Sequence, residues 1–259
     1  MSRNPYMDYL KSLSPTWALG YDLSGSTWKD EGSAGADVTI YGAETRTDGP
    51  TNDLDQKYLR GDGVDDYAAG GQDGSLTGVQ DGSWAFWVRT DTLAQGGGQY
   101  IYAVYNIANK QRSWGLNWRS TDGPSPTEML SILGSDDGVF SGLWVLDVEL
   151  PPADTWVHFV YVRDTGSWKV YRNGTLTGST DSVVYADKTF YSSTSANVTV
   201  FTRDDAPWGF KGDVHTPAMW NGTALTSTQV ANLYAAASET PVSFKHFLRR
   251  PMQPIGGFS

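Results

Sequence analysis

Three kinds of residue in this 259-residue chain could do chemistry: clustered aspartates, indole rings in turn-rich segments, and alternating carboxylates on one apolar run. Asp62, Asp65 and Asp66 fall within five residues, Asp136 and Asp137 are adjacent, and Asp204, Asp205 and Asp213 form a third acidic stretch. Hard cations take clustered carboxylate and carbonyl oxygens, so calcium is the cation these segments would suit. Their spacing does not follow the EF-hand loop, and solvated acidic turns are the alternative reading. Trp114, Trp118, Trp144, Trp208 and Trp220 lie in or near segments that read as loops or variable strands. An exposed indole stacks on a sugar ring while polar loop groups orient it, so a glycan platform would draw on some of these five. Core or inter-subunit packing is the alternative.

Other chemistries lack their residues. The three histidines, His158, His215 and His246, show no H-x-x-x-H spacing for zinc, and His158 sits in an apolar run where a packed, hydrogen-bonded ring is expected. There is no cysteine, hence no thiolate nucleophile and no disulfide framework. No G-x-S-x-G elbow, P-loop or dinucleotide fingerprint occurs.

The elements that must position these residues are strands. The chain carries 11 Trp, 14 Tyr and 9 Phe, and aromatic side chains favour half-buried pleated surfaces. Its 29 Gly and 12 Pro suit many tight turns. WAFWVRT from Trp84, YIYAVY from Tyr100 and WVHFVYVR from Trp156 read as strands. In the run from Trp168 to Arg172, Trp168, Val170 and Arg172 share one face and Lys169 and Tyr171 the other. Asn173-Gly174 follows, a hairpin signal, because both central residues of a type I′ turn need positive φ. One helix is predicted over 227–237, where cap-type residues precede the stripe Val230, Leu233, Tyr234.

The order of these signals resembles the LamG-like jelly-roll domains of the concanavalin A-like lectin/glucanase superfamily. The residues that carry the resemblance are WALGYDLSG from Trp17, YLRGDGVDDY from Tyr58 to Tyr67, WAFWVR from Trp84 and WVHFV from Trp156. WKVYRNG from Trp168, FKGDV from Phe210 and LTSTQVANLY from Leu225 complete the series. The resemblance implies an all-β fold, a two-sheet antiparallel β-sandwich with one short C-terminal helix. It implies rim-bound calcium, and it assigns Gly61, Gly63, Gly174 and Gly212 to backbone geometry. Trp17, Trp84, Trp87, Trp156 and Trp168 are expected in the core. Some β-glucanases of the superfamily carry a Glu-x-Asp-x-Glu strand. The nearest segment here, Val145 to Glu149, keeps Asp147 and Glu149 but has Val145 in the place of the first glutamate. Retaining hydrolysis needs two carboxyl groups ~5–5.5 Å apart, so catalysis is not expected.

The chain divides into an arm over 1–15, one domain over 16–238, and a second arm over 239–259. Both arms are expected to be extended and to dock. The first arm carries Arg3, Lys11 and Asp8, and the second Lys245, Arg249, Arg250 and Glu239. Their net charges of +1 and +2, taken from the total of −10, leave −13 on the domain between. So acidic a body argues against a nucleic-acid partner. Phe244, Phe247, Leu248, Met252 and Ile255, with the Arg249-Arg250 pair, are the expected assembly anchors. No standard signal peptide is read in the first 15 residues, and no run reaches the ~18–20 apolar residues of a membrane span. These features predict a non-enzymatic structural or binding protein of a virion: a bacteriophage decoration, fibre or tail component. It would assemble with copies of itself or other particle proteins and could attach to surface glycans. A free carbohydrate-binding lectin-like module, extracellular or at a cell surface, is the alternative.

Overall fold

Alternation of apolar side chains along each strand decides which face it buries. The computed structural model describes residues 4–53, 56–91, 99–106, 108–120, 128–139, 143–149, 152–181, 188–203 and 209–238. Sixteen strands run through them. They are β1 (Trp17–Ser24), β2 (Thr27–Asp30), β3 (Val38–Tyr41), β4 (Glu44–Arg46), β5 (Tyr58–Asp62), β6 (Tyr67–Gly70), β7 (Gly82–Thr90) and β8 (Gln99–Asn106). The rest are β9 (Gln111–Ser120), β10 (Glu128–Gly134), β11 (Leu143–Glu149), β12 (Val157–Asp164), β13 (Ser167–Arg172), β14 (Thr175–Asp181), β15 (Val198–Val200) and β16 (Lys211–Asn221).

All strand pairings among the described residues are antiparallel, and they form two sheets. The first runs β16-β7-β12-β13-β14, with β1 and β5 both paired to β16 and β4 to β5. The second runs β1-β2-β3-β6-β15-β8-β9-β10-β11. Strand β1 belongs to both: Trp17 and Ala18 pair with β16, and Leu19, Leu23 and Ser24 pair with β2 across an irregularity in register. This is the expected sandwich. Between the sheets lies one large core, in which Trp84 meets Trp168 in a stack (5.7 Å) and Trp114 edge-on (5.8 Å). Two of the buried indoles are also anchored by backbone acceptors: Trp17 Nε1 donates to the Ala36 carbonyl (3.0 Å), and Trp114 Nε1 to that of Leu76 (2.7 Å).

The β13–β14 hairpin follows its sequence. Trp168 and Val170 enter the inter-sheet core and Tyr171 faces the other way. Asn173 (φ 50°) and Gly174 (φ 76°) take the positive angles a type I′ turn requires. The predicted C-terminal helix is α2 (Ser227–Ala236), after α1 (Pro5–Ser12) in chain order. A capping box fixes its start, the Gln229 amide N–H donating to Thr226 Oγ1 and the Thr226 amide N–H to Gln229 Oε1.

The N-terminal arm departs from expectation. Residues 5–12 are not extended but form α1, which packs on the first sheet of its own domain. Pro5 stands in the first turn, where its missing N–H costs nothing. Tyr6, Met7 and Leu10 are buried against Ala18, Ala85, Trp87, Val160 and Ala218. The cap comes from far along the chain: the Asp53 carboxylate accepts from the amides of Tyr6 (3.1 Å) and Met7 (3.2 Å). Trp220 Nε1 donates to the Leu13 carbonyl (3.0 Å) and holds the helix exit. The first sheet is thus covered outside by both helices, a second apolar layer. The arm over 239–259, with Phe244, Phe247, Leu248, Arg249, Arg250, Met252 and Ile255, lies outside the described residues.

Candidate functional site

On the second sheet, Tyr41 ends β3 and Tyr67 begins β6, and the two are register partners. Their neighbours Ile40 and Ala68 turn to the core, so both phenol rings stand on the outer face. The rings stack at 4.6 Å with 19° between planes. Tyr41 is 46% exposed, a large aromatic surface held rigid by its partner rather than spent in the core.

The turn from β5 to β6 brings acids to the same end. Asp62 Oδ1 accepts from the Val64 amide (2.7 Å), and Asp66 Oδ2 accepts from the Asp62 amide (2.9 Å). These local bonds draw Asp62, Asp65 and Asp66 together, with one oxygen from each within 4.8 Å of the others. Burial and the like charges of Asp62 and Asp65 push the Asp66 carboxyl above its ordinary value, against the pull of the Asp62 amide. Val64 stands out at the turn's tip, 65% exposed. Gly42 joins the two halves. Its φ is +75°, and a Cβ there would sit 2.2 Å from Asp66 Oδ1, so the carboxylate rests directly on the backbone that follows Tyr41.

The arrangement is a flat aromatic face beside three carboxylates. A ring with apolar C–H faces and peripheral hydroxyls, which is what a sugar offers, would stack on the first and donate to the second. Among the described residues, Asp62, Asp65 and Asp66 are the one group of three acids close enough to share a metal ion. They fit calcium in kind, supplying three of the 6–8 oxygens it takes.

Other expected site residues fall elsewhere. Trp114, Trp118 and Trp220 are buried and offer no face to a ligand. Each lies on a strand with both faces covered, so its indole packs inside the domain. Trp144 stands opposite Leu133 in β11, its side chain outside the description, and Trp208 lies outside the described residues. Asp213 does not join the acidic turn. It is fully buried on β16, where Arg60 Nη1 (3.1 Å) and Arg89 Nε (2.7 Å) donate to its carboxylate. That pairing removes it as a cation ligand. Asp204 and Asp205 lie outside the described residues. Asp136 takes a bond from Lys188 Nζ (2.6 Å), and Asp137 closes its own turn by accepting from Ser135 Oγ (2.8 Å) and the Val139 amide (2.8 Å). The Val145–Glu149 segment is in β11, as expected of a strand. His158 is buried in β12, and His246 lies outside the description. Of the expected core indoles, Trp17, Trp84, Trp87 and Trp168 are buried, and Trp156 is half-buried.

Tyr41 and Tyr67 were not among the expected ligand residues. Each stands where a short strand meets a Gly- or Asp-rich turn, a local signal of exposure, but their pairing depends on β3–β6 register.

Over residues 62–231 the chain matches the laminin G type 3 family, described as the concanavalin A-like lectin/glucanases superfamily, and it belongs to that family. No curated protein sequence matches it. Among solved structures, it is similar to domain 4 of AbnA, a GH43 extracellular arabinanase from Geobacillus stearothermophilus, in complex with arabinotriose. The TM-score is 0.59 and identity 20%, covering 85% of this chain and 98% of that one. It is also similar to the binding domain of Paraclostridial Mosquitocidal Protein 1, with TM-score 0.62, 13% identity, and coverage of 85% and 52%. A third structure concerns botulinum neurotoxin type C, whose cell entry depends on two ganglioside molecules. Its TM-score is 0.62 at 13% identity, covering 90% of this chain and 53% of that one. The chain thus spans about half the length of either toxin structure. These likenesses show a shared fold.

Proposed function

We propose that this chain is a non-enzymatic glycan-binding module whose platform is the Tyr41–Tyr67 pair. The observation that carries the reading is the stacked ring pair, Tyr41 exposed and Tyr67 half-buried, with Asp66 seated beside it on Gly42. A sugar ring lies on Tyr41, and its hydroxyls either donate to Asp62, Asp65 or Asp66 directly or, through their oxygens, coordinate a calcium ion held by these carboxylates. The similar structures support a sugar: one was solved with arabinotriose, and another concerns ganglioside-dependent entry. Val145, in the place of a carboxylate that hydrolysis would use, supports binding without turnover. Such a module works outside the cell or at a surface.

Deployment on a particle, as a bacteriophage decoration, fibre or tail component, is the finer part of this proposal. It rests on residues 239–259, whose apolar anchors and Arg249-Arg250 pair suit attachment to an acidic copy of the same domain or another shell protein. The test of the module is a panel of immobilised glycans that includes arabino-oligosaccharides and ganglioside headgroups, probed with the folded chain and with Tyr41→Ala/Tyr67→Ala. Binding to a glycan subset that the double variant loses supports the reading. Silence across the panel, or equal binding by both proteins, overturns it.

A further inference from the structure

Two histidines lie beneath α1, on the outer face of the first sheet, and the glycan platform on the second sheet does not use them. His158 of β12 and His215 of β16 are both fully buried. The Tyr6 hydroxyl lies 3.3 Å from His158 Nε2, and the Tyr6 ring is 6.0 Å from the His158 ring and 6.3 Å from that of His215. Trp87 packs on His158 (4.9 Å), Tyr234 of α2 stacks over it (6.1 Å), and Trp156 meets His215 edge-on (6.3 Å). His215 Nδ1 pairs with Thr216 Oγ1 at 2.9 Å.

A protonated imidazole needs an acceptor at each nitrogen and a counter-charge. His158 Nδ1 has no hydrogen-bond partner among the described residues. Among the described residues, the titratable and charged groups around the pair are Tyr6 of α1, Tyr234 of α2, Tyr58 behind Trp156, Arg89 and Asp213 further along the same face, Asp53 at the start of α1, and Asp48 beside Gly49, which packs on His215. Each of the three carboxylates is engaged away from the imidazoles. Asp53 accepts from the Tyr6 and Met7 amides, Asp213 from Arg60 and Arg89, and Asp48 from the Tyr58 hydroxyl. The pocket is therefore built for two neutral rings, and charging one also sets it against the other.

We infer that α1 is an acid-released latch: protonation of His158 and His215 drives this eight-residue helix off the sheet and uncovers the apolar face around Trp87. Burial pushes both histidines down, each to about 3 from an ordinary 6.5, with His158 adding to the effect on His215. A base held neutral in the closed state costs nothing above pH 6.5. As pH falls from 6.5 towards 3, the open state binds protons that the closed state cannot, and the latch weakens. Below pH 6 the opening constant then rises about tenfold per pH unit for each histidine that opening exposes, and between pH 6.5 and 4.5 it rises about 50-fold for each, or about 2,500-fold for both. Opening stays local because α1 is short and its buried residues Tyr6, Met7 and Leu10 belong to a cluster apart from the inter-sheet core.

The test is amide hydrogen exchange on the full chain from pH 7.5 to 4.5, corrected for intrinsic rates. The amides of Asp8 to Leu13 are compared with those of β9. The latch predicts acid-dependent opening of α1 with β9 still protected, and His158→Gln lowers the pH slope by about tenfold per unit. A pH-independent α1, or α1 and β9 opening together, overturns it. Proton NMR titration of the unmodified protein gives a check that needs no variant. Imidazole signals that stay neutral until α1 opens support the latch, and simple titration near 6.5 in the closed state refutes it.

Discussion

Trp114→Ala distinguishes a ligand platform from a structural indole by what is lost. Trp114 has 0% of its surface exposed. Its ring packs edge-on against Trp84 (5.8 Å) and Tyr102 (5.6 Å), and its Nε1 donates to the Leu76 carbonyl at 2.7 Å. Truncating a buried Trp to Ala costs about 3–5 kcal/mol, transfer and cavity together. Leaving the Leu76 carbonyl without its donor adds about 1 kcal/mol. The sum, about 4–6 kcal/mol, is a large share of the ~5–15 kcal/mol that holds a domain folded. At roughly 2 °C per kcal/mol for a chain of this size, the midpoint should fall by about 10 °C. Thermal unfolding followed by circular dichroism measures the shift, and the same preparation is tested for glycan binding below its midpoint. Loss of stability with binding kept is the expected result. A variant that melts like the parent but no longer binds sugar would show that the indole reaches a ligand, and the burial argument would fail.

Gly42→Ala should weaken both the fold and the site. At φ +75° an alanine costs about 1–2 kcal/mol, and its Cβ must also displace the Asp66 carboxylate from 2.2 Å. Urea unfolding should show a loss of about 1–3 kcal/mol together with reduced glycan affinity, whereas an unchanged midpoint would mean the turn is not packed as described. Deleting residues 241–259 should leave the domain folded, since α2 and its contacts with α1 lie before the cut. Analytical ultracentrifugation should then show loss of self-association or particle attachment, and normal assembly of the truncated chain would remove the docking role of the arm.

Local signals were legible where neighbours in sequence are also neighbours in space. The Asn173-Gly174 turn, the alternation from Trp168 to Tyr171 and the Thr226–Gln229 cap each close within a few residues, and each is found. The α1 helix was not legible, although Tyr6, Met7 and Leu10 have helical spacing. Eight residues are too few to hold a helix in isolation. What stabilises it is remote: Asp53, His158 and Trp220 lie 46 or more positions away. Of the five expected platform tryptophans, Trp114, Trp118 and Trp220 are buried for a related reason. Loop-like flanks suggest exposure, but Trp220 sits on a strand whose outer face α1 and α2 cover, and no local pattern announces that layer. Of the acidic residues, Asp62, Asp65 and Asp66 gather because one turn holds them. Asp213 is drawn away by Arg60 and Arg89, its cross-strand partners on β5 and β7. Tyr41 and Tyr67 meet only through β3–β6 register, which their own segments do not specify.

The central claim is that a sugar ring lies on Tyr41 and Tyr67. The direct measurement is an NMR titration of the tyrosine ring resonances with the strongest glycan from the panel, on protein that keeps its native fold throughout. The account predicts saturable shifts of the Tyr41 and Tyr67 ring protons, with the buried Tyr102 and Tyr161 unmoved. Saturable glycan binding that leaves both of those rings unshifted would place the site elsewhere and contradict it.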